Sequence, residues 1–278
     1  MEKIVAAIDG LKFSESTTQY AVQMAKLLNA HLVGVFLEDF TYHSFRIFEV
    51  AGDDEFSEIR RRELEEQDLA VRREAIDRFE QICREAGVPF STRQDRNIAI
   101  QELLHESLFA DFLVIDRKET LTRYEEEVPT RFIRELLERV QCPVLLVPST
   151  YDPVDNVQLL YDGQPGSVYA IKTFCHVLPA LRQLPAQVVT VSTEREEPHI
   201  PDIRLLKEFM YRHFPSVNYK VYQGIPETEI IQHIRAVSGH PLVVLGAYRR
   251  GMVSRWIRAS MADVLMQETS VPLFIAHS

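Results

Sequence analysis

The chain carries one pattern twice: an apolar run ending in Asp9-Gly10 returns 153 residues later as an apolar run ending in Asp162-Gly163. In the first copy, Lys3-Ile4-Val5-Ala6-Ala7-Ile8 precedes the Asp-Gly pair, and Ser14 and Ser16 introduce Val22, Ala25 and Leu28 at helical spacing. In the second, Val157-Gln158-Leu159-Leu160-Tyr161 precedes it, and Ser167 introduces Ile171, Phe174, Cys175 and Leu178. Each copy reads as a strand, a tight turn and a helix. The pairing continues downstream in short β-branched runs: residues 30–35 match 186–191, 111–115 match 240–245, and 142–147 match 271–276.

Near-continuous apolar strands alternating with helices require a parallel sheet covered on both faces, because right-handed crossovers lay a helix over each strand pair. The expected fold class is therefore α/β, as two tandem doubly wound, Rossmann-like parallel sheets of five strands. A length of 278 residues suits two domains, each of roughly 140 residues and able to bury a core. Their expected boundaries are 1–149 and 154–278, with the seam in Pro148-Ser149-Thr150-Tyr151-Asp152-Pro153.

Composition excludes several classes. No apolar stretch is long enough to span a bilayer, and the start, Met1-Glu2-Lys3 followed directly by a strand, lacks a signal-peptide layout. The expectation is a cytoplasmic protein with no membrane partner. A formal net charge of −10 disfavours nucleic acid. Cys83, Cys142 and Cys175 are odd in number and sit within apolar patterns, which predicts buried thiols and neither a disulfide framework nor a metal site.

The halves differ between their second and third strands: 57 residues separate His31 from Val88, but only 30 separate Gln187 from Val217. Part of the excess predicts a charged helix from about Phe56 to Ala86, with Leu69, Ile76, Phe79 and Cys83 as its apolar stripe. The remainder holds Phe40, Tyr42, Phe45 and Phe48, an aromatic density that covers another surface, of this chain or of a partner.

An open parallel sheet places its chemistry beyond the carboxyl ends of the central strands, where strand order reverses. In the second half the fourth strand ends at Gly246 and the chain runs on through Arg249, Arg250, Gly251, Arg255 and Arg258 to Ala259-Ser260-Met261 at a helix start. Small residues followed by a helix N-terminus suit a phosphate cradle of backbone N–H groups and a hydroxyl.

The order of elements, the Asp-Gly after the first strand, the segment Gly224-Ile225-Pro226-Glu227-Thr228-Glu229 and the loop after the fourth strand resemble the universal stress protein family in its tandem form. The resemblance spans nearly the whole chain. It implies a sheet of the adenine nucleotide alpha hydrolase type and a stress-response module that binds ATP or another adenine nucleotide with Mg. It places Asp162 and Gly163 near the adenine or ribose, backbone at Val191 along the base, and Gly246, Arg249, Gly251, Ala259, Ser260 and Met261 around the phosphates. It also implies pairing of last strands across a two-fold, for which residues 143–147 and 272–276 are candidates, either within one chain or in a homodimer.

The sequence departs from the family's loop, which reads Gly, two residues, Gly, nine residues, then Gly-Ser or Gly-Thr. Here Arg249 and Ala259 stand at two of the three glycines. The first half departs further: no glycine lies between Gly87 and Gly163, and Asp116 is followed by Arg117-Lys118-Glu119 and Glu125-Glu126-Glu127. That half is expected to bind no nucleotide.

Walker, dinucleotide-fingerprint and nucleophile-elbow motifs are absent from the sequence, as is the second His that a zinc helix needs after His105-Glu106. Two readings follow: a module with an altered nucleotide site in its second half, or an interaction module in which that site has decayed and protein contacts do the work. Slow ATP hydrolysis is a lesser third, since no general base is evident.

Overall fold

The computed structural model describes residues 2–38, 43, 55–96, 98–192, 199–246 and 260–277. The first half runs β1 (Lys3–Asp9), α1 (Glu15–Leu28), β2 (His31–Glu38), α2 (Glu55–Ala86), β3 (Phe90–Arg96), α3 (Ala99–Ser107), β4 (Phe112–Asp116), α4 (Arg131–Arg139) and β5 (Val144–Val147). The second runs β6 (Asn156–Leu160), α5 (Pro165–Val177), a short 3₁₀ turn, β7 (Ala186–Ser192), α6 (Ile203–His213), β8 (Val217–Gln223), α7 (Pro226–Ala236), β9 (Pro241–Gly246), α8 (Met261–Glu268) and β10 (Leu273–Ala276).

The two expected five-stranded sheets are joined into one of ten strands, ordered β3-β2-β1-β4-β5-β10-β9-β6-β7-β8. All neighbours are parallel except β5 and β10, which pair antiparallel with Leu145 opposite Phe274 and Leu146 opposite Leu273. The last strands thus meet inside one chain, and neither offers an open edge to a second copy. Period-2 alternation sends the side chains of each strand to two apolar layers. One holds Ile4, Phe36, Phe112, Leu159, Phe174 and Phe274, and the other holds Val5, Leu113, Leu146, Val243 and Leu273. Each layer runs across both halves.

Local sequence explains the helix starts. Ser14 caps α1 by accepting from Thr17 N, and Thr130 caps α4 by accepting from Ile133 N. The long α2 lies on β2 through Phe79, which meets Phe36 edge-on at 5.7 Å. Its buried stripe departs from expectation toward the N-terminus. Leu69 is exposed, and the buried positions there are Asp68 and Arg72, continuing to Ala75, Phe79 and Cys83. The stripe still keeps helical spacing. The aromatic residues Phe40, Tyr42, Phe45 and Phe48 lie outside the described residues.

Cys83, Cys142 and Cys175 are buried and unpaired, as expected. Burial pushes each thiol up to about 12, so all three pack as small apolar side chains. Among the described residues no helix is long and apolar enough to cross a membrane.

Phe274 is fully buried on β10 and packs edge-on against Phe174 at 5.6 Å. Phe274→Ala is expected to lower stability by about 3–5 kcal/mol in urea unfolding. Because the residue sits on the strand joining the halves, both should lose stability together.

Candidate functional site

β6 lies between β7, which follows it in the chain, and β9, which the chain reaches only after β8, so the strand order reverses between β6 and β9. The crevice beyond their carboxyl ends is where this architecture receives ligands. Asp162 follows β6 there and is exposed. Its Oδ1 accepts from Gln164 N at 2.9 Å and from Ser167 Oγ at 2.6 Å. Ser167 Oγ also lies 2.9 Å from Gln164 O, which closes the turn into α5. Asp162 is therefore oriented through one oxygen, and its Oδ2 has no hydrogen-bond partner among the described residues.

Gly163 has φ +78°, the left-handed region that favours glycine, and an added Cβ would stand 2.6 Å from Pro201. Tyr161 fixes that proline by donating from its hydroxyl to Pro201 O at 3.1 Å. At the end of β9, Gly246 is required for close approach: a Cβ would lie 2.5 Å from Gly166 O, in the first turn of α5. The missing side chain lets the β9 terminus lie directly on the start of that helix.

Val191, near the end of β7, is half-buried and packs on the layer that includes Leu245 and Leu160. Beside it, Thr190 is 3% exposed and its Oγ1 has no partner among the described residues. Ser260 caps α8, its Oγ accepting from Ala262 N at 3.3 Å, and Met261 turns onto the apolar layer beneath. The structure thus brings Asp162, Gly163, Val191 and Gly246 to the carboxyl ends of three adjacent strands, with Ser260 and Met261 opening α8. Arg249, Gly251 and Ala259 lie outside the described residues.

The same edge of the first half is built differently. Asp9 is fully buried, with Oδ1 accepting from Leu11 N at 2.8 Å. Arg72 of α2 lies against Gly10, its Cγ standing 3.1 Å from where a Cβ would be. Asp116 ends β4 where Gly246 ends β9. Its carboxylate takes Lys118 N at 2.8 Å and Ser14 Oγ at 3.4 Å, and burial raises its proton affinity against these bonds. Glu119 follows, 9% exposed, and Leu121 and Thr130 close over it with 5% and 0% exposure. The segment after β4 therefore folds into the crevice it borders.

Sequence reasoning misses these first-half features. Arg72 is hidden because an arginine reads as an outward position on a charged helix. Glu119 is hidden because it reads as one charge in an acidic run, and only its position beside Asp9 makes it special.

No protein-family model matches the chain, and no curated protein matches it in sequence. Solved structures match over its whole length, and they define its class: the fold is that of the universal stress proteins. One is a universal stress protein from Archaeoglobus fulgidus DSM 4304, with a TM-score of 0.70 at 16% identity, covering 99% of this chain and 98% of that one. A functionally unknown protein, PA1789, from Pseudomonas aeruginosa PAO1 gives a TM-score of 0.59 at 12% identity over 100% and 92% of the two chains. A protein from Pseudomonas aeruginosa UCBPP-PA14, provisionally assigned as a universal stress protein, gives 0.58 at 13% over 100% and 93%. At these identities the likeness is one of fold, and it bears out the resemblance read from the two Asp-Gly turns and the order of elements.

Gly246→Ala is expected to destabilise the protein by about 1–3 kcal/mol in urea unfolding, because the new methyl meets backbone and not a mobile side chain. Hydrogen exchange should show the loss first in the opening turn of α5.

Proposed function

We propose that the chain is a universal stress protein in tandem form, with domains 1–149 and 154–278, and that its second half binds an adenine nucleotide, ATP with Mg. The observation that carries this reading is the contrast between two equivalent aspartates. Asp162 is exposed and oriented through one oxygen, whereas Asp9 is fully buried beneath α2 and the segment after β4. A carboxylate held this way suits a ribose hydroxyl, which donates to the remaining oxygen. Thr190 Oγ1, buried and unpartnered beside Val191, supports the reading, because such an atom calls for a polar partner. Gly246 and the cap at Ser260 fit backbone contact with phosphate, and Arg249 would supply charge in place of a glycine.

In this reading the protein works in the cytoplasm as a binding module, with a protein partner or a second copy as its target. One observation favours the alternative of a decayed nucleotide site. Asp263 is buried in the first turn of α8, with Arg134 Nη2 at 4.0 Å, so a carboxylate already stands at the positive end of that helix.

Calorimetric titration with ATP and magnesium separates the two. Saturable binding at one site per chain supports the nucleotide module, and no heat up to millimolar nucleotide supports the decayed site. Asp162→Ala and Ser260→Ala should each weaken binding by about tenfold, the worth of one hydrogen bond. Asp9→Ala should leave affinity unchanged while lowering stability, and equal losses from all three would defeat the assignment to the second half.

A further inference from the structure

Toward the amino ends of the strands in the second half, three side-chain amides stand in a row. The register sets Gln158 of β6 beside Gln187 of β7, and Gln187 beside Asn218 of β8. Partners in register share one face of a sheet. The first half has Val5, Val33 and Ser91 in the corresponding register, and both valines are buried in its core. Val5 and Gln158 each stand four residues before the Asp of their Asp-Gly turn, so amides occupy what is an apolar layer in the other half. Together with Lys220, Tyr222 and His233 they line a cavity of about 620 Å³, a size suited to a small organic ligand.

The buried members of this wall are fixed by hydrogen bonds that run in one direction. Tyr222 donates from its hydroxyl to His233 Nδ1 and His233 donates from Nε2 to Gln158 Oε1, each at 2.9 Å, and Gln158 Nε2 donates to Asn156 Oδ1 at 2.8 Å. Gln187 and Asn218 take no part in that chain and make no side-chain hydrogen bond among the described residues. Each amide both donates and accepts, so the partner that satisfies both capacities is a hydroxyl.

The internal repeat also shows which charge this cavity lacks. Arg93 and Lys220 are each the fourth residue of their edge strand, and Glu106 and His233 are each the eighth residue of the helix that follows. In the first half Arg93 meets the Glu106 carboxylate, whose second oxygen takes Lys3 Nζ at 2.7 Å. In the second half the cation is kept and the carboxylate is replaced by an imidazole. Lys220 has no carboxylate partner among the described residues, and its Nζ lies 5.3 Å from the Tyr222 ring centre.

We infer that this cavity is a binding site for a small hydroxylated carboxylate: its carboxylate pairs with Lys220, as Glu106 pairs with Arg93, and its hydroxyls meet the amides of Gln187 and Asn218. The site lies at the other end of the strands from Asp162 and does not depend on the nucleotide reading.

Amide NMR spectra of the full chain, titrated with gluconate at constant ionic strength, test this, with glucitol as the uncharged counterpart. Gluconate should shift backbone amides of β7, β8 and α7 saturably, with a Kd on the order of 1 mM. Glucitol, and gluconate with Lys220→Met, should each bind about tenfold more weakly or worse, the worth of one hydrogen bond to a charged group. Gln187→Val, which installs the residue of the first half, should weaken gluconate as well. No saturable shift up to about 50 mM gluconate would overturn the site. Equal binding of glucitol, or undiminished binding in Lys220→Met, would overturn the carboxylate assignment, and undiminished binding in Gln187→Val would overturn the role of the amides. Lys220 is exposed, so its variant keeps the test decisive should Gln187→Val fold poorly.

Discussion

The antiparallel pairing of β5 with β10 is the contact on which the remaining architecture depends. A five-stranded parallel unit ends in a strand whose outer N–H and C=O groups are unpaired, which invites association. Here the two such edges satisfy one another through Val144–Ile275, Leu145–Phe274 and Leu146–Leu273. The result is one sheet and two apolar layers that pass through the junction without a break. Polar contacts lock the same junction from outside. Ser16 Oγ donates to Pro148 O at 2.6 Å, Tyr20 donates to Asp152 O at 3.0 Å, and Arg117 reaches Thr269 and Ser270.

Pairing identical topologies back to back frees them to diverge at their carboxyl edges, since the sheet no longer depends on what stands there. The second half keeps glycine where β9 meets α5, and an aspartate turned outward. The first half replaces that glycine with Asp116, lengthens the helix between its second and third strands, whose Arg72 covers Gly10, and buries Glu119 after β4. Burying so many charges is unfavourable unless backbone N–H groups and counter-charges receive them. The N–H donors of Leu11, Lys118, Thr120 and Leu121 do so here. Local chain geometry thus fills the crevice of the first half with its own carboxylates.

A similar exchange occurs on the opposite face of the sheet. Glu106 on α3 is 2% exposed and bridges Lys3 and Arg93, while His233 on α7 bridges Gln158 and Tyr222, each at 2.9 Å. Both link the first strand of a half to its edge strand through one buried polar side chain. The first half does so with charges and the second with neutral groups. Burial and the charge of Lys220 lower the proton affinity of His233, which suits the neutral form that both bonds allow.

The repeated strand-turn-helix signal, the apolar runs and the two Asp-Gly turns determined the secondary structure, the parallel pairing and the edge at which a site belongs, because each is a local pattern whose period or turn chemistry acts over a few residues. Asp162, Gly163, Val191 and Gly246 were legible for that reason: all lie at strand ends. What the tertiary structure alone decided is which of the two aspartates is buried. Asp9 and Asp162 both stand between an apolar strand and a glycine, and they differ through groups contributed from far along the chain: Arg72 from α2, and Glu119 and Leu121 from beyond β4. Burial and charge coupling depend on distance in space, which no pattern of adjacent residues encodes.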